Sequence, residues 1–152
     1  TMLATGERPL PAGFIAWREM CAQKPTFDVG RLFARGNPHL SPDECAAYNA
    51  PFPDAGHRAA TRAFPALVPE HADDDGAAVS RQAQQFWKND WQGQSLMVVG
   101  AQDPVLGESV MRALHARIRG CPEPWVLPGA GHFVPEHGAP IAERALVHFG
   151  AL

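Results

Sequence analysis

Apolar residues follow two different patterns along this chain, and the change comes near residue 90. Beyond it, residues 96–99 and 125–127 form continuous apolar runs, which are typical of strands buried on both faces of a parallel sheet. Residues 108–119 and 139–149 instead place apolar side chains three and four positions apart, as amphipathic helices do. The second half is therefore predicted to run strand, helix, strand, helix, with the fold class α/β.

Before residue 90 the pattern predicts short helices separated by prolines. The predicted helices cover residues 14–23, 29–34, 42–49, a segment that Asp54 caps and that ends near Pro65, and residues 77–91. The clearest start is Ser41-Pro-Asp-Glu44, where Ser41 is an N-cap, proline takes the first helical position and Glu44 completes a capping box. Short helices without strands make a poor core of their own but a good lid over another domain.

A sheet of only two parallel strands has too few neighbours to be stable alone. Parallel strands are normally buried by helices on both faces of a larger sheet. Residues 1–6 also resemble the end of a strand already under way. We therefore expect the neighbouring strands to come from sequence before Thr1.

Composition and charge exclude several classes of function. The chain has 152 residues, of which 45% are hydrophobic and 19% charged, typical of a globular domain with a core. Its net charge is −3 and no Lys/Arg cluster is present to neutralise phosphates, so we expect no nucleic-acid partner. No apolar run reaches the ~18 residues of a membrane span and no basic-then-apolar leader opens the chain, so we expect no membrane partner. Three cysteines without C-x-x-C spacing favour free thiols, and hence a cytoplasmic location.

Two ionisable side chains of the kind used in catalysis follow the two predicted strands. Asp103 lies three residues after Gly100, and His132 lies in a glycine-rich loop after the second apolar run. Taken singly, Asp103 is typical of a turn or helix-capping aspartate and His132 of a surface loop. Because the carboxyl ends of adjacent parallel strands meet at one sheet edge, we expect the two side chains to lie together. An aspartate that binds the Nδ1 proton of a histidine forms the second half of a nucleophile–histidine–acid triad.

The first member of such a triad is not found in this sequence. A nucleophile on a strand–turn–helix elbow is expected within Gly-x-Ser-x-Gly or Gly-x-Asp-x-Gly, and neither pattern occurs. Ser95 and Ser109 fall at a strand start and in a helix, without an elbow. We therefore expect the nucleophile on another segment and expect the 152 residues to be inactive alone.

Several motifs together resemble one family. Those in the second half are residues 100–107, 120–124 and 129–136, and those in the first half are Gly13-Phe-Ile-Ala-Trp17 and residues 48–54, 64–68 and 86–91. In order and spacing they resemble the haloalkane dehalogenases of the α/β-hydrolase superfamily, in the 1,2-dichloroethane dehalogenase-like subgroup. The resemblance covers nearly the whole chain and corresponds to the C-terminal half of such an enzyme.

The resemblance implies a domain organisation. Residues 1–10 would be the end of a main-domain strand and a linker, residues 11–92 a helical cap, and residues 93–152 the C-terminal part of the main domain. The expected fold is thus the helical cap plus the last two parallel strands and helices of an α/β-hydrolase.

The resemblance also implies roles for individual residues. It assigns the hydrolytic base to His132, the supporting acid to Asp103 and one of two halide-binding ring N–H groups to Trp17. Positions that line the substrate pocket correspond to Phe14, Phe64, Val68, Leu106 and Phe133. The implied partners are a small halogenated alkane, a halide ion and a complementary N-terminal half carrying the nucleophile, with no cofactor and no metal. Residue type supports Trp17, because a large and weakly hydrated halide suits a neutral N–H donor.

Three other functions remain open at this point. Epoxide hydrolases use a pair of cap tyrosines to activate the epoxide oxygen. Tyr48 is the only tyrosine in the sequence, so this cap cannot supply the pair, which disfavours an epoxide hydrolase. A serine esterase or lipase would differ in the elbow, which lies outside this sequence, and the Trp17-bearing cap disfavours it. The last alternative is a truncated fragment or half-chain that binds a partner without catalysing a reaction.

Overall fold

The helices and strands follow the predicted order, with differences at their ends. A computed structural model describes residues 4–24 and 26–151. The helices are α1 (Ala12–Gln23), α2 (Val29–Gly36), α3 (Pro42–Asn49), α4 (Ala59–Ala66), α5 (Ala77–Gln85), α6 (Glu108–His115) and α7 (Gly138–His148). The strands are β1 (Val98–Gly100) and β2 (Trp125–Leu127). The chain divides into two compact units, Thr1–Gln84 and Gln85–Leu152.

The predicted start of α3 is confirmed. Ser41 Oγ accepts a hydrogen bond from the Glu44 N–H at 3.3 Å, and Glu44 Oε2 accepts one from the Ser41 N–H at 2.7 Å. These two bonds form the capping box, with Pro42 at the first helical position. The helix ends at Asn49, close to Pro51, as the sequence predicts.

Helices α2 and α3 form a closely packed pair in the first unit. A Cβ on Gly30 would overlap the backbone carbonyl oxygen of Cys45, so the two backbones meet where only glycine fits. Asn49 bridges the pair, because its Oδ1 accepts from the Gly30 N–H and its Nδ2 donates to Asp28. The rings of Phe33 and Tyr48 stack at 4.0 Å between centroids.

The start of α4 differs from the prediction. Asp54 caps the turn before the helix, where its Oδ1 accepts from the His57 N–H at 2.9 Å. The helix itself begins at Ala59, after an N-cap residue, Arg58, that gives no side-chain hydrogen bond. The sequence signal at Asp54 is therefore a turn signal, because its carboxylate accepts the Asx-type bond within the turn that precedes the helix.

The predicted helix over residues 77–91 changes its geometry on the way. After α5 the chain continues as a π-helical turn, Phe86–Asp90. In the second unit the N–H of Arg119 donates to the Trp87 carbonyl and its Nη1 donates to the Asn89 carbonyl, both at 2.9 Å. Arg119 thereby satisfies carbonyl groups that the wider turn leaves free.

The second unit contains the predicted strand–helix–strand–helix order. Strands β1 and β2 are parallel, with Val98 opposite Trp125 and Gly100 opposite Leu127. Helix α6 ends earlier than the predicted 108–119 segment, and Gly120 turns the chain with φ at 70°. A short 3-10 turn, Val134–His137, precedes α7. The α/β prediction is confirmed.

The predicted strand end over residues 1–6 falls partly outside the described residues, which begin at Ala4. Residues 4–6 are not in a strand. Gly6 has φ at 71° and lies against the backbone of His71. The predicted domain boundary near residue 92 stays a prediction.

Candidate functional site

Asp103 and His132 meet at the carboxyl ends of β1 and β2. Nδ1 of His132 lies 3.0 Å from both carboxylate oxygens of Asp103. The Asp103 side chain is 5% exposed, whereas the His132 side chain is 37% exposed. A buried acid therefore holds the ring through one nitrogen, and the ring remains accessible.

Asp103 is fixed by its own turn as well as by the histidine. Its Oδ1 accepts hydrogen bonds from the backbone N–H groups of Val105 at 2.8 Å and Leu106 at 2.9 Å. Burial by itself raises the pKa of Asp103, but the bonds from Leu106, Val105 and His132 outweigh it and hold the pKa below its ordinary value. The carboxylate is therefore ionised at neutral pH.

Backbone contacts join the two loops that hold the pair. The Ala101 N–H donates to the Leu127 carbonyl at 3.0 Å, and the Gln102 N–H donates to the Ala130 carbonyl at 2.9 Å. A Cβ on Gly100 would overlap the carbonyl oxygen of Gly131, so β1 ends directly against the histidine loop. This close approach holds the Asp103 turn against the His132 loop, and the sequence pattern marked Gly100 only as a strand end.

Two of the predicted pocket residues adjoin this pair. Leu106 supplies one of the N–H groups that Asp103 accepts, and it is half-buried. The Phe133 ring lies edge-on to the His132 ring, with 5.3 Å between centroids. Both residues are therefore next to the histidine–aspartate pair in the second unit.

The other predicted site residues lie in the first unit. Trp17 and Phe14 are on α1, and the Trp17 ring meets Phe27 edge-on at 5.9 Å. Phe64 is on α4 with 67% of its surface exposed, and Val68 follows that helix. Arg18, which the sequence analysis missed, contacts both Phe14 and Val68.

The indole N–H groups differ among the tryptophans. That of Trp91 donates to Ser95 Oγ at 2.9 Å, which gives this tryptophan a structural partner. Within residues 4–24 and 26–151, the Trp17 indole N–H has no protein acceptor, and the same holds for Trp87 and Trp125. The resemblance to the dehalogenase cap, and not its hydrogen bonding, therefore distinguishes Trp17 from Trp87 and Trp125.

A second histidine–aspartate pair occurs in the first unit. His57 Nδ1 lies 2.9 Å from Asp54 Oδ1, but both side chains are about 60% exposed and only three residues apart. A pair of this kind is a local turn contact with little desolvation. The Asp103–His132 pair differs because its acid is buried and joins two strand ends.

Two further properties concern the described part of the chain. No three His, Cys, Asp or Glu side chains within it come together as a metal site. Every helix within it is too short or too polar to span a lipid bilayer.

The second unit also contains an open apolar groove of about 540 Å³. Its lining includes Trp87, Trp91, Leu96, Met111, Ile118 and Phe149. Neither Asp103 nor His132 lines this groove. It therefore is a separate feature from the histidine–aspartate pair.

Comparison with known proteins gives a consistent picture. No protein-family model matches the chain. A haloalkane dehalogenase of Mycobacterium marinum is 36% identical over 149 residues, which is 95% of this chain and 49% of that protein. A haloalkane dehalogenase of Psychrobacter cryohalolentis is 32% identical over 152 residues, which is 98% of this chain and 50% of that protein.

Solved structures agree with the sequence comparison. The haloalkane dehalogenase DpaA from Paraglaciecola agarilytica NO2, described as tetrameric, is 36% identical with a TM-score of 0.88 and matches 95% of this chain and 49% of its own. DatA from Agrobacterium tumefaciens C58 is 21% identical with a TM-score of 0.59, a likeness of fold alone. The chain spans about half the length of the relatives that it matches.

Proposed function

We propose that this chain, a homologue of haloalkane dehalogenases over about half their length, forms part of an enzyme that cleaves carbon–halogen bonds with water. The observation that supports this most directly is the buried Asp103 carboxylate at 3.0 Å from Nδ1 of the accessible His132. Similarity to the dehalogenases supports cleavage of a carbon–halogen bond over the other hydrolase reactions in which such a pair takes part.

In the proposed first step, an aspartate carboxylate on a segment outside this sequence attacks the carbon that bears the halogen. A carbon–oxygen bond forms, the carbon–halogen bond breaks, and the bonding electrons leave with the halide ion. The product is an alkyl ester on the enzyme. The Trp17 indole N–H is proposed to donate to the departing halide, because a neutral donor binds an anion without a buried cation.

In the proposed second step, His132 acts as the general base. Its Nε2 has no partner within the described residues, and Nδ1 is occupied by Asp103. Nε2 takes a proton from water while the oxygen attacks the ester carbonyl. The ester bond then breaks, the alcohol leaves, and the aspartate is regenerated. The imidazolium releases its proton to solvent, so the alkyl halide and water give an alcohol, a proton and a halide ion.

Asp103 is proposed to support His132 and not to exchange a proton with it. A carboxylate on Nδ1 keeps the proton there, leaves Nε2 free as the base and stabilises the imidazolium. The lowered pKa of Asp103 suits this role, because the acid stays ionised while the histidine changes its charge. Phe14, Phe64, Val68, Leu106 and Phe133 are proposed to line the pocket for a small halogenated alkane.

The nucleophile is proposed to come from a complementary N-terminal half. The apolar groove of about 540 Å³ offers such a segment a hydrophobic surface in the second unit. Leu146, Val147 and Phe149 of the α7 region are also 43%, 66% and 48% exposed. Burial of these side chains would stabilise a complex of the two halves.

Reconstitution tests the proposal directly. The 152-residue chain is co-expressed with the half of the Paraglaciecola dehalogenase that it does not match, and halide release from 1-bromobutane and 1,2-dibromoethane is measured. We expect many turnovers from the pair and none from either part alone. The His132→Ala variant should release about one halide per complex and then stop, because the ester is no longer hydrolysed.

Two outcomes would contradict the proposal. A complex that forms without releasing halide would indicate a half-chain that only binds a partner. Turnover of styrene oxide or p-nitrophenyl acetate without halide release would indicate an epoxide hydrolase or an esterase. The sequence disfavours the epoxide reaction, because Tyr48 is its only tyrosine and the cap pair needs two.

A further inference from the structure

Arg18 follows Trp17 on α1 and crosses to the segment after α4. Its Nη2 donates to the Val68 carbonyl at 3.1 Å, and its Nη1 lies 2.9 Å from Glu70 Oε2. The Arg18 side chain is only 21% exposed, whereas Glu70 is 44% exposed. One guanidinium therefore joins two parts of the first unit that are fifty residues apart in sequence.

The same guanidinium also covers an aromatic ring. Its central carbon lies 5.5 Å from the centroid of the Phe14 ring, one helical turn before Arg18. Phe14 and Val68 are two of the residues proposed to line the substrate pocket. The Arg18 guanidinium thus lies over the ring of Phe14 and donates a hydrogen bond to the carbonyl of Val68.

We propose that Arg18 is a positioning residue that fixes the distance between Phe14 and Val68, and so determines the width of the pocket and its selectivity for alkyl halides of different length. This inference rests on the proposed dehalogenase function. Arg18 does not touch the reacting atoms in this scheme, and it acts through the two pocket residues.

The chemistry of arginine suits this task better than that of lysine. The planar guanidinium presents donors in a fixed fork, so it reaches the Val68 carbonyl and the Glu70 carboxylate at once while it lies over the Phe14 ring. A lysine ammonium on a flexible stem holds one of these partners and leaves the ring uncovered.

The two polar contacts of Arg18 are expected to contribute unequally to the positioning of Phe14 and Val68. The Glu70 pair is partly exposed, where ion pairs contribute little. The bond to the Val68 carbonyl lies where water is partly excluded, so its loss leaves a backbone acceptor poorly satisfied. Positioning is therefore expected to depend mainly on the carbonyl bond and the ring contact.

The test uses the reconstituted complex and substrates of two lengths, 1,2-dibromoethane and 1-bromohexane. For Arg18→Met we expect KM for 1,2-dibromoethane to rise about fivefold and kcat to change less than about twofold, because ground-state fit is lost without loss of the reacting groups. KM for 1-bromohexane should rise less, so the ratio of kcat/KM for the two substrates shifts toward the longer one.

Arg62→Met is the matched control. Arg62 lies in the same unit, and its Nη1 donates to the Ala55 carbonyl at 2.7 Å, so the variant loses the same kind of bond away from Phe14 and Val68. The selectivity ratio should stay unchanged in Arg62→Met and nearly unchanged in Glu70→Gln. Arg18→Lys should give a ratio between wild type and Arg18→Met, and it decides the question if Arg18→Met does not fold.

The outcomes separate this inference from the proposed function. Wild-type complex without halide release contradicts the proposed function. If the wild-type complex is active and the selectivity ratio is the same in Arg18→Met and Arg62→Met, only the positioning role is contradicted. If Arg18→Met does not fold, a wild-type ratio in Arg18→Lys contradicts the positioning role in the same way.

Discussion

At the scale of single residues, Asp103 has two functions that the sequence presented as alternatives. It caps a turn through the N–H groups of Val105 and Leu106, and the same carboxylate holds His132. The two N–H groups of the turn hold the carboxylate in place independently of the histidine, so the acid is preorganised. Asp54 and His57 have the same atoms at a similar distance but lie on an exposed turn, which shows that residue type alone does not define such a site.

Substitution of Asp103 can separate its two functions. In Asp103→Asn the Oδ1 still accepts from the turn, but the amide faces Nδ1 and favours the wrong histidine tautomer. We expect kcat of the reconstituted complex to fall by about 10⁴-fold. Asp103→Ala should lose the turn as well and lower the Tm of the chain by about 2–4 °C per kcal/mol lost, as measured by circular dichroism. Wild-type kcat in Asp103→Asn would contradict the proposed role.

Gly100 is expected to be as sensitive as a catalytic residue, although it has no side chain. In Gly100→Ala the added Cβ meets the carbonyl oxygens of Gly131 and Ala130, so the histidine loop must shift. A shift of about 1 Å is expected to lower kcat by about 10²-fold. Gly129→Ala is the control, because its Cβ meets nothing within 4 Å, and its kcat should stay near wild type. Equal kcat values in the two variants would mean that the loop relaxes without moving His132.

At the scale of helices and strands, contacts between near neighbours determine some helix ends, and packing between distant residues determines others. The α3 capping box is a contact over three residues, and the sequence predicts it correctly. The end of α6 and the π-helical turn after α5, in contrast, do not depend on contacts between near neighbours alone. Arg119 meets carbonyl groups of residues 87 and 89, so the geometry of that turn depends on a partner thirty residues away.

The packing of α2 on α3 gives a prediction at this scale. Gly30→Ala places a Cβ on the Cys45 carbonyl, which cannot move without disturbing α3, and is expected to cost about 1–3 kcal/mol. Gly13→Ala lies in α1, where an added Cβ meets nothing within 4 Å, and is expected to gain about 0.5–1 kcal/mol from helix propensity. Urea unfolding measures both. Equal destabilisation by the two substitutions would contradict the close approach of α2 and α3.

At the scale of the whole molecule, the chain divides into a helical unit and an α/β unit, and its relatives are about twice as long. The residues proposed for the reaction are shared between the units. Trp17, Phe14, Phe64 and Val68 are in the first, and Asp103, Leu106, His132 and Phe133 are in the second. The proposed nucleophile is in neither, so activity is expected only from a larger assembly.

The pH dependence of stability is a property of the whole chain. Hydrogen bonds from backbone and side-chain groups hold the pKa values of Asp28, Glu44, Asp54 and Asp74 below their ordinary values, as they do for Asp103. The folded chain therefore binds protons less readily than the unfolded chain. These groups contribute stability above about pH 4, and it is lost as the pH falls through their lowered values.

The thiols set the opposite limit. Burial raises the pKa values of Cys21 and Cys121. Their contribution to the free energy of unfolding is therefore complete below about pH 8.5 and is lost as the pH rises through the raised pKa values. We expect the Tm to be nearly constant between about pH 5 and 8 and to fall on both sides. Cys121→Ser should make the fall of the Tm at alkaline pH smaller and leave the fall of the Tm at acid pH unchanged. A Tm that rises below pH 4 would contradict the assignment of the carboxylates.

The order of helices and strands, the capping box of α3, and the positions of Asp103 and His132 after successive strands are readable from the amino-acid sequence alone. These features depend on periodicity and on contacts between near neighbours, which the chain encodes locally. Packing between distant residues brings the two side chains to 3.0 Å, places Gly100 against the histidine loop, and lets Arg18 bridge α1 to Val68. The contacts among these features join residues 29 to 50 positions apart, and their distances follow from packing, which no local pattern specifies.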